Sequence, residues 1–191
     1  MTIVPRWEWR TFGPGLDPAE ARFRELDPER VEDSDEMYVL STARDPSVKI
    51  RGGQMDVKTL QAVNDDGLEQ WLPVLKASFP ISDADVATVF QALGAPLPVL
   101  LRPAYSLEEL ERELIEPSGG LRAVNVHKHR AHYTVGGCMA ELSEIRTDAG
   151  ARTTIAVESP DADAVIAAVR DLGLASRENT CLPRGLKALE A

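Results

Sequence analysis

Basic side chains recur at every second residue in several segments of the chain that alternate between polar and apolar residues. These cations are Arg10, Lys49, Arg51, Lys58, Lys128 and Arg130. Because alternate residues of a β-strand point to the same side of the sheet, each segment would present its cations on one face. Several Lys and Arg donors that converge on a cavity suit a polyanion such as a chain of phosphates. A solvent-exposed sheet face would explain the same alternation in any single strand.

Carboxylates occupy alternating positions in three strand-like segments, one of which also carries Arg10. Glu8 lies between Arg6 and Arg10, Glu141 lies in MAELSEI, and Glu158 lies in TIAVES. Their oxygens would suit Mg²⁺ or Mn²⁺, and such an ion bridges phosphate oxygens. We therefore take the three glutamates as candidate metal ligands and the six cations as candidate substrate-binding residues. No catalytic residue is assigned, because phosphoryl transfer depends mainly on positioning and electrostatics and needs no identifiable general base.

Further polar residues fall inside the same segments. His132 shares the phase of Lys128 and could carry a proton. His127 and His129 would point to the opposite face, as surface residues or as a zinc pair. Glu69 lies in a predicted strand, where its side chain could line the cavity or face solvent. The sequence leaves these alternatives open.

Hydrophobic periodicity divides the chain into short strands and a few helices. The predicted strands cover residues 4–12, 37–41, 48–52, 55–63, 68–77, 99–102, 121–134, 138–147 and 153–159. The predicted helices cover residues 17–31, 82–93, 106–115 and 161–172. Ser82 and Ser106 suit helix N-termini, and Gly94 suits a helix end. The acidic run at residues 27–36 is interpreted as loops and outer faces.

Tight turns join consecutive strands, as at Gly52-Gly53 and Gly136-Gly137, so neighbouring strands should pair antiparallel. Eight or nine strands, few helices and no βαβ alternation predict an α+β fold. Its core would be a closed or nearly closed antiparallel β-barrel with flanking helices. We expect a single domain over residues 1–191 with two halves, about 1–116 and 121–191.

Composition limits the classes of partner. The chain has 191 residues, a net charge of −10 and a sequence pI of about 4.8. Nucleic acids and anionic membranes both need a broad positive surface, so neither is an expected partner, although an enclosed basic site remains compatible. Cys138 and Cys181 have no CxxC partner, which favours reduced, structural thiols. Since the sequence shows no signal peptide and no apolar run of about 20 residues, we expect a cytoplasmic protein.

The order of the charged segments resembles the CYTH domain, also called the triphosphate tunnel metalloenzymes, along most of the chain. The opening Glu-x-Glu-x-Lys signature of that family is matched by RWEWR at residues 6–10. Its other conserved charges are matched by Lys49-Ile50-Arg51, Lys58, Lys128-His129-Arg130, Glu141 and Glu158. Its basic C-terminal segment is matched by Arg184 or Lys187, which join Arg6 as further candidate substrate-binding residues.

Two positions depart from the family pattern. Arg6 stands where the signature has a glutamate, which reverses the charge, and Ala156 stands where a second C-terminal acidic residue is expected. Arg10 replaces the lysine of the signature and keeps its charge. With two carboxylates absent, the resemblance implies one metal site rather than two.

The resemblance implies an eight-stranded tunnel that binds a triphosphate with Mg²⁺ or Mn²⁺. The implied ligand is a phosphate-rich small anion: tripolyphosphate, a nucleoside or thiamine triphosphate, or polyphosphate. The implied reaction is metal-dependent hydrolysis of a phosphoric anhydride. A binding module without turnover is the alternative that Arg6 and Ala156 favour. An adenylyl cyclase ranks last, because no residue is identified that would read a nucleobase.

Overall fold

The computed structural model describes residues 4–191. Eight of its strands are hydrogen-bonded in the order β1-β10-β9-β8-β2-β3-β4-β5 and close into a barrel, because β5 also pairs with β1. These strands are β1 Arg6–Phe12, β2 Arg30–Ser41, β3 Ser47–Arg51, β4 Gln54–Val63, β5 Glu69–Ser78, β8 Leu121–Val135, β9 Cys138–Thr147 and β10 Gly150–Ser159. A separate two-stranded sheet pairs β6 Ile81–Ser82 with β7 Ala104–Tyr105. The predicted α+β fold with an antiparallel barrel is confirmed.

Within residues 4–191, five α-helices accompany the strands. They are α1 Asp17–Arg24, α2 Asp83–Leu93, α3 Leu107–Glu109, α4 Ala162–Asp171 and α5 Leu182–Leu189, and α3 continues as a π-helical segment at Leu110–Ile115. Ser82 and Ser106 each form a capping box with an acidic residue three positions later, as the sequence predicts. Gly94 ends α2 with φ of 66°, a left-handed conformation that a residue with a Cβ rarely adopts.

The chain divides into two compact units that do not follow chain order. Unit 1 comprises the residues up to Ser34, Leu60–Leu72 and His127–Ala191, and unit 2 comprises Asp35–Thr59 and Pro73–Val126. The single domain over residues 1–191, with halves at about 1–116 and 121–191, stays a prediction. Each unit has its own hydrophobic core.

The core of unit 1 lies between one face of β1, β10, β9 and β8 and two helices. Trp9, Val157, Ala140 and Tyr133 follow one another across these four strands, and all are buried. The buried side chains of α1 and α4 pack against this apolar face. Because successive residues of a strand alternate sides, the residues between these positions must lie on the opposite face, which is the polar one.

The core of unit 2 is formed by strand residues beneath α2 and the segment Leu110–Ile115. Val48, Ile50, Met55 and Val57 belong to it, as expected for the apolar side of the β3–β4 hairpin. On the apolar side of α2 the buried residues include Val86, Val89, Phe90 and Leu93, the stripe that the sequence predicts. The cations of the hairpin, Lys49, Arg51 and Lys58, therefore occupy its other side.

Three local predictions are wrong. The helix that begins at Asp17 ends at Arg24, and the acidic run after it is the first part of β2, an extended strand rather than a loop. Residues 99–102 are not a strand, and Val99 and Leu101 are largely exposed. The C-terminal segment, by contrast, forms the two-turn helix α5: Pro183 sits in its first turn, and Gly185 packs directly on Phe12.

Two smaller observations bear on the sequence predictions. Cys138 and Cys181 are both buried and unbonded to each other, in agreement with structural thiols. Among residues 4–191 no helix is long and apolar enough to cross a membrane.

Candidate functional site

The polar side of β1, β10, β9 and β8 forms one continuous charged face in unit 1. It carries, at alternate positions, Arg6, Glu8, Arg10, Ala156, Glu158, Glu141, Ser143, Lys128, Arg130 and His132. The charged face is the reverse of the apolar face that packs on α1 and α4. Arg10, Lys128 and Arg130 are among its buried residues, each less than 10% exposed. Burial of three cations on one face is costly unless each is compensated by an anion.

Arg10 reaches across a neighbouring strand to Glu141. The pairing register places Arg10 opposite Ala156 on β10, and Ala156 opposite Glu141 on β9. Arg10 Nη1 lies 3.3 Å from Glu141 Oε1, and Arg10 Nε lies 3.3 Å from Glu8 Oε1. A residue with a longer side chain at position 156 would lie between the two partners. Ala156 thus leaves the space that the guanidinium needs.

Glu141 is the common counter-ion of the buried cations. Arg130 Nε lies 3.5 Å from its Oε2, and the Ser143 hydroxyl donates a hydrogen bond of 2.8 Å to its Oε1. Burial alone would raise the pKa of Glu141, but the charges of Arg10, Lys128 and Arg130 and the Ser143 hydrogen bond outweigh it and hold this pKa well below its usual range. Glu141 is therefore ionised under all ordinary conditions.

A row of three glutamates crosses β5, β1 and β10. Glu8 lies opposite Glu69 on one side and opposite Glu158 on the other. Each carboxylate has an arginine partner: Glu69 accepts a hydrogen bond of 2.6 Å from Arg184, Glu8 accepts one from Arg10, and Glu158 accepts one of 3.2 Å from Arg6. We call Glu69, Glu8 and Glu158 the glutamate row. Its members would repel one another if these arginines were absent.

At the β8 side of the charged face, Arg130 also meets Glu32 of β2. Arg130 Nη1 lies 3.4 Å from Glu32 Oε1, and His132 Nε2 lies 3.3 Å from the same oxygen. Burial alone would raise the pKa of Glu32, but the hydrogen bond with His132 and the charges of Arg130 and Arg30 lower it. His132 thus lies on the charged face, as its phase predicts, with Glu32 as its partner.

The C-terminal segment fixes the strand that carries Arg10. The Asn179 side-chain oxygen accepts a hydrogen bond of 2.8 Å from the Arg10 backbone N–H, and Thr180 N–H donates one of 2.7 Å to the Arg10 carbonyl. Helix α5 follows directly and brings Arg184 to Glu69. Of the two C-terminal candidates, Arg184 therefore contacts the glutamate row, whereas the role of Lys187 stays a prediction.

In unit 2 one of the predicted cations, Arg51, contacts a different carboxylate, Glu36. Arg51 Nη1 lies 3.5 Å from Glu36 Oε1, and the Tyr38 hydroxyl donates a hydrogen bond of 2.7 Å to Glu36 Oε2. The Glu36 side chain is fully buried, whereas that of Arg51 is 42% exposed. Lys49 lies opposite Tyr38 and Asp56, and Lys58 lies opposite Ser47, at the far end of the hairpin from its turn. Lys58 is exposed.

The residues of unit 1 do not form an obvious divalent-metal site. Mg²⁺ and Mn²⁺ need several free oxygen ligands around one point. Here Glu8, Glu141 and Glu158 each accept from an arginine. Within the described part of the chain, no three His, Cys, Asp or Glu side chains are grouped so that they could hold a metal ion. The metal-ligand roles of these glutamates stay a prediction, and the observed arrangement fits arginine compensation better.

Three carboxylates of the described arrangement were not predicted as site residues. Glu32 and Glu36 lie in the acidic run whose composition indicates loops and outer faces. The positions 32, 34 and 36, however, are spaced two residues apart, which is the period of one face of a strand. Glu69 is 5% exposed, which settles its alternative in favour of the interior. By contrast, His127 and His129 both lie on the outer side of β8, where they contact Asp33 at 3.4 and 3.0 Å.

No protein-family model matches the chain, and no curated protein does. Among solved structures, the chain is similar to HpAC1 from Hippeastrum, described as an adenylyl cyclase candidate with a dominant triphosphatase activity. The two are 15% identical, the match covers 88% of each chain, and the TM-score is 0.50. A candidate adenylate cyclase from Bacillus halodurans matches at 9% identity over 92% of this chain and 93% of the other, with a TM-score of 0.47. At such identities the similarity to HpAC1 concerns the fold alone.

Proposed function

We propose that this chain is a divergent CYTH protein that binds a triphosphate or a short polyphosphate on the charged face of unit 1. The observation that carries the proposal is the convergence of Arg10, Lys128 and Arg130 on a single carboxylate, Glu141. Three buried cations on one face present a ready set of donors to the oxygens of a phosphate chain.

The fold supports the same proposal. The barrel resembles that of HpAC1, for which a triphosphatase activity is described. The spacing of Lys128 and Arg130 on β8, and of Glu141 on β9, agrees with the charged segments of the CYTH family. In this proposal the guanidinium groups hold phosphate oxygens in place, and their positive charge would also stabilise a phosphoryl group in transfer.

Binding without turnover is the second candidate, and two residues favour it. Arg6 contacts Glu158, and Ala156 supplies no carboxylate beside Glu141. Fewer free oxygens are then available for a catalytic ion than the resemblance implies. Hydrolysis therefore needs its own assay, separate from binding.

The cations of unit 2 are candidate phosphate-binding residues in their own right and are tested separately. Lys49, Arg51 and Lys58 share the polar side of the β3–β4 hairpin. Their contribution is tested by replacing each with methionine, which keeps the aliphatic stem and removes the charge. A weaker affinity for tripolyphosphate in any of the three would support that residue as a ligand.

Calorimetric titration with tripolyphosphate tests the proposed function. We expect the wild-type protein to bind, and Lys128→Met to weaken binding by about tenfold or more, since a buried charge that meets the anion is lost. Lys76→Met, which removes an exposed lysine on β5, is the matched control and should bind as the wild type does. Phosphate release measured in the same samples separates hydrolysis from binding. Absence of binding with or without Mg²⁺ would refute the proposal.

A further inference from the structure

The glutamate row places three like charges on adjacent strands. Glu69 and Glu158 lie directly opposite Glu8 on its two neighbouring strands. The Cβ atom of each is therefore about 5 Å from the Cβ atom of Glu8, as in any antiparallel cross-strand pair. Such a row is stable only when positive charge lies among the carboxylates. A divalent cation could supply that charge, but so can arginine.

Each carboxylate of the row already has its own guanidinium. The three donors come from different parts of unit 1: Arg6 and Arg10 from β1, and Arg184 from α5. The Glu69 side chain is 7% exposed and its arginine contact is 2.6 Å, so this pair is well enclosed. A cation that entered the row would have to displace arginines that are held by the same strands and helix.

The pair Arg10–Glu141 differs from the row in one respect. Glu141 is approached by three cations, Arg10, Lys128 and Arg130, of which Arg10 also contacts Glu8 and Arg130 also contacts Glu32. An anion that arrives beside Glu141 therefore competes with this carboxylate for the same donors.

We propose that the charged face takes its phosphate anion without a divalent cation, and that the anion replaces Glu141 as the counter-ion of Arg10 and Arg130. This inference rests on the proposed phosphate-binding function. The arginines of the glutamate row supply the neutralisation that a metal ion would otherwise provide. A phosphate chain carries more charge than one carboxylate and offers oxygens to several donors at once, so the exchange favours the ligand.

The proposal predicts an unusual effect of removing a carboxylate from a binding site. Glu141→Gln should raise the affinity for tripolyphosphate by about tenfold, because Arg10 and Arg130 lose their competing anion and keep their charge. If Glu141 were instead a metal ligand, the same substitution would weaken binding. Glu144→Gln is the matched control: it lies on the same strand, is exposed on the opposite side and pairs with Arg146.

The experiment is a calorimetric titration with tripolyphosphate in EDTA, and again with Mg²⁺ in excess. The expected result is binding in EDTA, a gain for Glu141→Gln, and no gain for Glu144→Gln. Binding that appears only with Mg²⁺, or a loss in Glu141→Gln, would overturn the proposal. An equal gain in both variants would also overturn it, because it would reflect net charge alone.

A second measurement needs no variant and guards against a Glu141→Gln protein that does not fold. Electron paramagnetic resonance of Mn²⁺ titrated with wild-type protein reports the fraction of ion bound. We expect the signal of free Mn²⁺ to persist at the protein concentration that is used in the calorimetric titration, where tripolyphosphate saturates the protein. Stoichiometric Mn²⁺ binding would overturn the metal-independent site while leaving phosphate binding intact. Failure to bind tripolyphosphate under every condition would instead refute the proposed function itself.

Discussion

Arg10 spans β10 to meet Glu141, with its Nη1 atom 3.3 Å from the carboxylate, and Ala156 is the residue over which it passes. The contact joins two strands that are not hydrogen-bonded neighbours. Because Arg10 passes over position 156, the contact explains why a carboxylate is absent there when position 10 is an arginine. A glutamate there would compete for the guanidinium.

Restoring the two carboxylates that the CYTH pattern expects should create a metal site. In Arg6→Glu/Ala156→Glu, Glu158 loses its arginine, and two added carboxylates lie next to Glu8 and Glu141 on the charged face. We expect Mn²⁺ to bind the double variant with about micromolar affinity or better, as clustered free carboxylates do. Arg6→Gln/Ala156→Gln is the isosteric control and should not bind. A double variant that binds no Mn²⁺ would show that these two positions do not decide metal binding.

The Arg184–Glu69 pair should hold α5 to the barrel. Arg184→Met leaves the buried carboxylate of Glu69 with less compensation, so the free energy of unfolding should fall by about 2 kcal/mol. The loss is smaller than for a fully buried pair, because Arg184 is partly exposed. Replacing Glu69 with Gln in the same protein should recover most of it. Urea denaturation of both single variants and the double variant measures the coupling. Additive effects would mean that the pair does not act as a unit.

Close packing of α5 on β1 depends on Gly185. A Cβ at this position would lie 2.1 Å from Cζ of Phe12, so either the ring or the helix must move. We expect Gly185→Ala to destabilise the protein by about 2 kcal/mol through overpacking. Gly119→Ala is the control, because nothing lies within 4 Å of its added Cβ and its φ is not positive. Equal unfolding midpoints for the two variants would contradict the packing argument.

Acid should weaken the fold partly through Glu32. Its pKa is lowered in the folded protein, against the effect of burial, by the hydrogen bond with His132 and the charges of Arg130 and Arg30. The folded state therefore binds the proton less tightly than the unfolded state, so the stabilisation is complete above the ordinary value of 4.5 and is lost as the pH falls below it.

Unfolding midpoints measured from about pH 6 down to about pH 3 test this effect. Glu32→Gln should reduce the stability difference between the two ends of that range. Glu178→Gln, at an exposed position, should leave the difference unchanged. The same pH dependence in wild type and Glu32→Gln would remove Glu32 from the account.

Strand periodicity predicts which face each charge occupies but not which charge is its partner. The phase of Lys128, Arg130 and His132 is enough to place them together, because side chains on a strand alternate strictly. The contact from Arg10 to Glu141 depends on strand order and register, which link residues 131 positions apart in the chain. Local patterns carry no information about such pairs.

The missed carboxylates have a related cause. Glu32 and Glu36 belong to an acidic run whose composition is typical of a solvated loop. In the structure they lie on one face of β2, where Glu32 contacts Arg130 and Glu36 contacts Arg51. Glu36 accepts a hydrogen bond from Tyr38 on the same face of β2, but its charge is compensated by Arg51 of β3, 15 residues away. Here the tertiary partners override the polarity of the local segment.

A crystal structure of the protein with tripolyphosphate, prepared without divalent metal, tests the central claim most directly. The account predicts phosphate oxygens within hydrogen-bonding distance of the guanidinium groups of Arg10 and Arg130, with Glu141 displaced from both. A phosphate chain bound away from the charged face would contradict the proposed function. A chain on the charged face that leaves the Arg10–Glu141 contact intact would contradict the exchange of counter-ions.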